Sequence, residues 1–275
     1  MTDPADSFVL YRADENVGIV TMNRPEKLNA ISPEFKDALV QTLKIADDDA
    51  ATSVVLLRAN GPSFCVGYDI GRKTPERDAW RHDAIRYTQH LRETLVFELA
   101  PWDMKKPVIA EVQGHALGGG CELAMMCDLT IAADDAKFGE PEIRFSAVGP
   151  GLVMPWFIGL KKARELLYFG DSIGAEEALS LGMINRIAPR AELPAHALKY
   201  AKRLALISPE ALAVTKLAIN RGADAAGFRN AINAGVDVVG PLYAAKTAEG
   251  MKFRTMVQTD GLRAALSKRM DQFKE

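Results

Sequence analysis

The chain has few of the residues that build metal sites or disulfide frameworks. Only three cysteines occur in 275 residues, at Cys65, Cys121 and Cys127, an odd number without metal-ligand spacing. The four histidines are scattered, and no HExxH pattern is present. We therefore expect reduced, mostly buried thiols in a cytoplasmic protein, and no metal ion.

The chain also lacks a strong excess of either charge and any long apolar run. Its formal net charge of −2 gives no basic field for nucleic acid or membrane, so we expect neither as a partner. The start, MTDPADSF, is acidic and polar, unlike a signal or transit peptide. The longest apolar window, residues 148–160, is interrupted by Gly149, Pro150, Gly151 and Pro155 and is too short to span a bilayer. With 48% apolar and 25% charged residues, the composition is that of a soluble globular protein.

Hydrophobic patterns predict an α/β core followed by helices. FVLYR and VGIVTM flank a polar turn and are typical of a hairpin, and Ser32 followed by Pro33 predicts a helix start. Short apolar runs predict buried strands at residues 53–58, 108–112 and 129–133, with a helix at about residues 119–127. After about residue 190 only helix signals remain. We therefore place a domain boundary near residue 200, between an α/β core (1–200) and a helical C-terminal region (201–275).

The most informative stretch is EVQGHALGGGCELAMMCDLTIAADDAKFGEPEI, residues 111–143. It contains two glutamates, Glu122 and Glu142, and the triplet Gly118, Gly119 and Gly120 at the start of the predicted helix. Backbone N–H groups at a helix start form an electropositive site for anions. Carboxyls that transfer protons beside donors that hold a developing oxyanion suit chemistry at the α and β carbons of a carbonyl.

Each of these features has a simpler interpretation when taken alone. A glycine triplet is more often a turn or a close-packing device, and the dinucleotide pattern GxGxxG fails because Leu123 occupies its last position. Glu122 fits a first-turn glutamate favoured by the helix dipole, and Glu142 fits a solvated loop charge. Other nearby polar or reactive side chains are expected to be structural: Asp69, Asp128 and Cys121.

Four segments follow one another in a familiar order: MNRPEKLNAIS (22–32), PSFCVGYDI (62–70), the segment 106–143, and SIGAEEALSLGMINRI (172–187). Together they resemble the crotonase, or enoyl-CoA hydratase/isomerase, superfamily over nearly the whole chain. The resemblance implies an α/β fold, a crotonase-type spiral of strand-strand-helix repeats with a C-terminal helical region. It also implies that the core carries the CoA-binding and active site, and that the C-terminal region serves oligomerisation as a homotrimer or a dimer of trimers.

The resemblance further implies roles for individual residues. The two donors of the family's oxyanion hole correspond to the backbone N–H groups of Tyr68 and Gly119, and its catalytic acids correspond to Glu122 and Glu142. The implied contacts with the acyl-CoA thioester are Arg24, Glu26, Lys27, Leu28, Cys65, Val66, Gly67, Tyr68, Asp69, Ile70, Leu117, Gly118, Gly119 and a phosphate-binding lysine in the tail, Lys268. No cofactor is implied, since coenzyme A is part of the substrate.

Retention of both glutamates favours a 2-enoyl-CoA hydratase, which adds water across the double bond to give a 3-hydroxyacyl-CoA. Other reactions of the same fold remain as alternatives: isomerase, hydrolase, decarboxylase and hydratase-lyase, or a non-catalytic CoA- or RNA-binding protein. Two departures from the family leave the acyl group open. Residues 146–160 replace a glycine-rich run, and the segment from Asp69 to Lys106 is longer than usual and contains aromatic and basic residues.

Overall fold

The architecture is that of a computed structural model that describes residues 7–71 and 79–273. Its strands are β1 (Val9–Asp14), β2 (Val17–Met22), β3 (Val54–Ala59), β4 (Val108–Val112), β5 (His115–Leu117), β6 (Leu129–Ala133), β7 (Lys137–Gly139), β8 (Ser172–Gly174) and β9 (Arg186–Ala188). The larger sheet has the order β1-β2-β3-β4-β6-β9, antiparallel between β1 and β2 and parallel elsewhere. The smaller sheet has the order β5-β7-β8.

Helices cover the sheets and form the C-terminal part of the chain. They are α1 (Pro33–Asp48), α2 (Ala84–Glu98), α3 (Ala100–Asp103), α4 (Gly119–Met126), α5 (Met154–Ile158), α6 (Leu160–Phe169), α7 (Ala175–Ser180), α8 (Leu193–Leu204), α9 (Pro209–Ala225), α10 (Phe228–Ala244), α11 (Ala248–Asp260) and α12 (Leu262–Asp271). Two short 3-10 helices lie at Pro25–Lys27 and Pro141–Phe145. None of the described helices is long and apolar enough to cross a membrane.

The parallel strands are buried on both faces, which explains why they read as continuous apolar runs rather than alternating ones. One face packs against a core that includes Phe35 and Leu39 of α1 and Leu123 of α4. The other face packs against α8 through Leu193 and its neighbours. The sheet therefore fixes α4, and with it the glycine triplet, at the centre of the fold.

The predicted hairpin and buried strands are confirmed, and so is the start of α1, where the Ser32 hydroxyl accepts a hydrogen bond from the Phe35 N–H at 3.3 Å. In the part of the chain that the structure describes, no strand follows β9, as the helix signals after residue 190 predict. Helix α10 packs along α2 of the core. The domain boundary near residue 200 stays a prediction.

Candidate active site

The backbone of Tyr68 is presented by a parallel bridge with Ile31. Ile31 donates its N–H to the Gly67 carbonyl at 2.9 Å and accepts the Asp69 N–H at 3.0 Å. In a parallel bridge the residue between those two partners directs its own N–H to the opposite side. The Tyr68 N–H therefore points away from Ile31, and no described group accepts a hydrogen bond from it.

The second candidate amide belongs to Gly119, the first residue of α4. The first N–H groups of a helix have no acceptor within the helix, and Gly119 has none elsewhere among residues 7–71 and 79–273. A Cβ atom at Gly119 would lie 2.6 Å from Cε2 of Tyr68, so the Tyr68 ring covers this glycine. Both free amides thus belong to one small region of the molecule.

The two turns that carry these amides are joined directly. Cys65 donates its N–H to the His115 carbonyl at 3.0 Å and accepts the Leu117 N–H at 2.9 Å. A Cβ at Gly67 would lie 2.9 Å from the Leu117 carbonyl oxygen, and one at Gly120 only 2.3 Å from that of Cys65. Side chains at either glycine would separate the turns, so the sequence pattern here is a requirement of close backbone packing.

Glu142 lies against the glycine triplet. It belongs to the 3-10 helix Pro141–Phe145, and a Cβ at Gly118 would lie only 1.8 Å from its Oε1 atom. Gly118 has a φ of 53° and a ψ of −130°, a conformation that side chains disfavour. The structure therefore brings the second predicted glutamate to the start of the helix that carries the first.

Glu122 lies in the first turn of α4 and is completely buried. Its Oε1 accepts the Leu152 N–H at 3.2 Å. A Cβ at Gly149 would lie 2.8 Å from this same Oε1 and 2.6 Å from Oε2 of Glu140. The loop after the 3-10 helix, within the run that departs from the family pattern, thus closes over the Glu122 carboxyl.

Two further buried carboxyls, which the sequence interpretation missed, complete the cluster. Glu98 of α2 accepts a hydrogen bond from the Tyr68 hydroxyl at 2.5 Å and is 1% exposed. Glu140 is 2% exposed, and neither of its side-chain oxygens has a hydrogen-bond partner among the described residues. We call Glu98, Glu122, Glu140 and Glu142 the acid cluster.

Burial dominates the electrostatics of the acid cluster. It raises the pKa of Glu122 to about 7 and that of Glu142 to about 8, because a charge loses hydration inside the protein. Burial, then repulsion by Glu122, raises the pKa values of Glu98 and Glu140 well above their usual range. With these pKa values, Glu122 and Glu142 can exchange protons near neutral pH, as general acid and base catalysis requires. Among the described residues, no group of three or more His, Cys, Asp or Glu side chains has an arrangement that could hold a metal ion.

The C-terminal helices support the segment that carries Glu142. Arg269 of α12 donates from Nε to the Arg144 carbonyl at 2.6 Å. The buried Arg144 side chain donates from its own Nε to the Phe169 carbonyl at 2.7 Å, and its guanidinium lies over the Phe273 ring. The ring of Phe145 packs on Phe253 of α11. Helices α11 and α12 thereby fix the 3-10 helix from the side.

The residues predicted to bind CoA are arranged less uniformly. Arg24 is engaged within the protein: Nη2 pairs with Asp69 at 3.0 Å and Nη1 donates to the Ala30 carbonyl at 2.8 Å. Four of the other residues predicted to bind CoA are exposed: Glu26, Lys27, Leu28 and Ile70. Lys268 lies on α12, exposed and paired with Asp260 at 2.8 Å. Their contacts with CoA stay predictions.

Other expectations are resolved by packing. Asp128 accepts from the Val108 N–H and from the Lys216 ammonium, both at 2.7 Å, so it is structural as expected. Cys121 is fully buried, and burial raises the pKa of its thiol well above the usual range. Within residues 146–160, which depart from the family pattern, Met154 is buried and Trp156 packs edge-on against Phe228. Part of the longer segment lies outside the described residues, including three of its basic side chains, Arg72, Lys73 and Arg77.

The comparison with known families decides the relationship. The family model described as enoyl-CoA hydratase/isomerase matches residues 12–261. The chain belongs to this family. The matched region contains the two glutamates and the glycine triplet that the fold brings together.

Individual relatives align over almost the entire chain. A probable enoyl-CoA hydratase of Mycobacterium bovis is 33% identical over 273 residues, 96% of this chain and 97% of that protein. A crotonyl-CoA hydratase of Syntrophomonas wolfei is 32% identical, over 96% of this chain and 97% of that protein. The crystal structure of an enoyl-CoA hydratase/isomerase from Xanthobacter autotrophicus Py2 superposes with a TM-score of 0.91 at 32% identity, covering 98% of this chain and 99% of that one.

These similarities confirm the predicted family, the crotonase-type α/β fold and the enzyme class, a hydro-lyase of the enoyl-CoA hydratase type. They do not test which side chains carry the reaction. The catalytic and CoA-binding assignments, the expected lack of a cofactor and the cytoplasmic location therefore stay predictions.

Proposed function

We propose that the protein hydrates a 2-enoyl-CoA thioester to a 3-hydroxyacyl-CoA, with Glu122 and Glu142 as the acid and base. The observation that carries this proposal is that the Glu142 carboxyl lies against Gly118, at the start of the helix whose first turn carries the buried Glu122. The names of the related hydratases and the family membership support the same reaction.

In the proposed reaction the thioester oxygen accepts hydrogen bonds from the N–H groups of Tyr68 and Gly119. These donors polarise the carbonyl and stabilise the enolate oxygen that forms when the β-carbon is attacked. Backbone amides are fixed before the substrate arrives, so little reorganisation is needed. The loss of one such donor costs roughly 100- to 1,000-fold in rate in other enzymes.

The proton transfers are assigned to the glutamate pair. One carboxylate removes a proton from water as its oxygen bonds to the β-carbon, the electrons of the double bond move toward the thioester oxygen, and the other carboxyl protonates the α-carbon. Each positioned acid or base contributes on the order of 100- to 10,000-fold. Because Glu122 and Glu142 interact, their titration belongs to the pair, and we do not divide acid from base between them.

The resemblance to the family supports a proposal for the substrate partner and for the assembly. We propose an acyl-CoA thioester as the ligand, with coenzyme A entering as part of the substrate. We also propose a homotrimer or a dimer of trimers. Light scattering of the purified protein tests the assembly, since a monomer contradicts it.

The reaction is tested by mixing the protein with crotonyl-CoA and following the loss of conjugated enoyl-thioester absorbance. Hydration predicts 3-hydroxybutyryl-CoA as the product by mass spectrometry. A shifted alkene, a free acid or a cleaved acyl chain assigns the protein to another reaction of the fold. A panel of 2-enoyl-CoA esters of varied length, branching and aromaticity then defines the acyl group.

The two glutamates are tested separately as Glu122→Gln and Glu142→Gln. Each is expected to lower kcat at least about 100-fold, because the amide cannot exchange the proton. Binding of the CoA ester should change little, since neither carboxyl is assigned to the CoA moiety. Near-normal turnover in either variant removes that glutamate from the mechanism.

A further inference from the structure

Glu98 occupies the buried face of α2. Tyr87, Leu91, Leu95 and Glu98 follow one another at helical spacing, and all four are buried. A carboxyl on such a face needs hydrogen bonds, because burying a polar group without a partner is unfavourable. The Tyr68 hydroxyl supplies one of them, donating to Oε1 at 2.5 Å.

The second oxygen of Glu98 faces Glu122. A Cβ at Gly151 would lie 3.5 Å from Oε2 of Glu98 and 3.3 Å from Oε1 of Glu122, so both carboxyls border the same point. Oε2 of Glu98 and Oε2 of Glu122 are both buried, and no described donor serves either atom. Two carboxylates cannot form a hydrogen bond with each other, because neither has a proton to donate. A proton on one of the two carboxyls would let it donate to the other, and both buried oxygens would then be paired.

The surroundings decide which of the two keeps the proton. Glu122 accepts the Leu152 N–H at 3.2 Å, and this backbone donor favours its ionised form. Glu98 is fully buried beside Glu122 and Glu142, which disfavour a charge on it, and only the neutral phenol of Tyr68 acts in the opposite sense. The hydrogen-bond pattern thus suits a neutral Glu98 and an ionised Glu122.

We infer that Glu98 is a neutral carboxylic acid that donates a hydrogen bond to Glu122 and so keeps the Glu122 carboxylate ionised and oriented for the reaction. The chain runs from the Tyr68 hydroxyl to Oε1 of Glu98, and from the protonated Oε2 to Glu122. Glu98 is a positioning residue in this account, since it acts through Glu122. The inference rests on the proposed function for its catalytic consequence, although the protonation state itself does not depend on turnover.

The titratable groups around this pair come from every element packed against it. Tyr68 forms the bridge with Ile31, and Tyr243 lies on α10. Glu142 belongs to the 3-10 helix, and Glu140 comes just before it. Burial raises the pKa of Glu98, and repulsion from Glu122 and Glu142 raises it further. Glu98 therefore keeps its proton. The Tyr68 hydroxyl opposes this by favouring the charged form.

The test compares the pH dependence of kcat/KM for crotonyl-CoA in Glu98→Gln, Glu98→Leu and the unaltered protein. Glutamine keeps both hydrogen bonds, since its amide can donate to Glu122 and its carbonyl can accept from Tyr68, and the acidic limb should stay in place. Leucine removes the donor, and the acidic limb should move upward by about one pH unit, the effect of losing one hydrogen bond to a charged group. Below the limb, activity should then fall about tenfold. Glu93→Gln, at an exposed site on the same helix, is the matched control. It should change neither the pH of the acidic limb nor the activity below it.

The direction of the shift distinguishes the possible states of Glu98. If Glu98 were ionised, its removal would relieve repulsion and move the acidic limb of Glu98→Leu downward. A downward shift or an unchanged limb therefore overturns the inference. So does a Glu98→Gln limb that moves as far as that of Glu98→Leu.

A second measurement does not require turnover or the leucine variant. Carbon NMR of protein labelled at the glutamate side-chain carboxyls should show, besides the protonated resonances expected of Glu140 and Glu142, a further one at neutral pH that is absent from Glu98→Gln and present in Glu93→Gln. If that resonance is found but crotonyl-CoA is not hydrated, the proposed function fails and the Glu98 assignment stands. If hydration is observed and no such resonance belongs to Glu98, the inference alone fails.

Discussion

The carboxyl of Glu142 occupies the space beside the α-carbon of Gly118, where a methyl group would lie 1.8 Å from Oε1. Residues 24 positions apart thereby form one surface, with the helix start on one side and the acid on the other. The missing side chain at residue 118 is what allows Glu142, one of the proposed acid-base pair, to approach the proposed site of the thioester oxygen.

Gly118→Ala should therefore abolish most activity. The new methyl group displaces Glu142, and alanine is strained at a φ of 53°. We expect a loss of at least about 100-fold in kcat, comparable to removing a positioned acid. Gly222→Ala is the control, because Gly222 lies inside α9 with open space around it. That variant should keep full activity and gain roughly 0.5–1 kcal/mol in free energy of unfolding. Equal loss in both variants contradicts this account.

The pH dependence of activity should be a bell centred near neutrality. The proposed reaction needs one proton on the pair, and burial raises the pKa of Glu122 to about 7 and that of Glu142 to about 8. Activity should fall below this window because both carboxyls are protonated, and above it because both are ionised. An acidic limb of kcat/KM at pH 4 to 5, the ordinary carboxyl range of about 4.3, would show that the pair is not perturbed.

Glu140 should make stability depend on pH. Its pKa is raised by burial, so the folded protein holds a proton that the unfolded chain releases above its ordinary carboxyl range. The free energy of unfolding should therefore fall as pH rises from about 5 toward 8, at up to about 1.4 kcal/mol per pH unit for this one group. Denaturant titrations at several pH values should show a shallower slope for Glu140→Gln than for the exposed control Glu93→Gln. Equal slopes in the two variants refute the assignment.

Lys268→Ala tests the predicted phosphate contact of the tail. Loss of one charged contact with a phosphate should raise KM for crotonyl-CoA about tenfold and leave kcat unchanged. Lys252→Ala, an exposed lysine on the neighbouring α11, is the control and should change neither constant. Identical KM values for the two variants remove Lys268 from the binding site.

The chemistry-bearing segment was predictable because its signals are local. The buried strands Val108–Val112 and Leu129–Ala133 end where their apolar runs end, and the glycines that the close turns require are visible as letters. By contrast, three-residue strands such as β5 and β7 contain too few residues for a period-two pattern. They exist because neighbouring backbone segments supply the hydrogen bonds.

Glu98 was not predicted because its role depends on a tertiary contact. It lies 30 residues from Tyr68, on a helix whose other buried residues are apolar apart from Thr94. One local signal was available: an acid that continues the apolar stripe of Tyr87, Leu91 and Leu95 marks a charge on the wrong face of a helix. Glu140 offered no comparable signal, since a loop glutamate before proline is ordinarily solvated.

The pairing of Ile31 with residues 67 and 69 has a consequence for how this enzyme can diversify. Any amino acid except proline at position 68 presents the same N–H, because strand pairing rather than side-chain identity orients it. Substitutions at that position can therefore change the side chain while the N–H that we propose as a donor to the thioester oxygen keeps its direction. Tyrosine is one residue that meets this condition, and its hydroxyl also donates a hydrogen bond to Glu98 of the acid cluster.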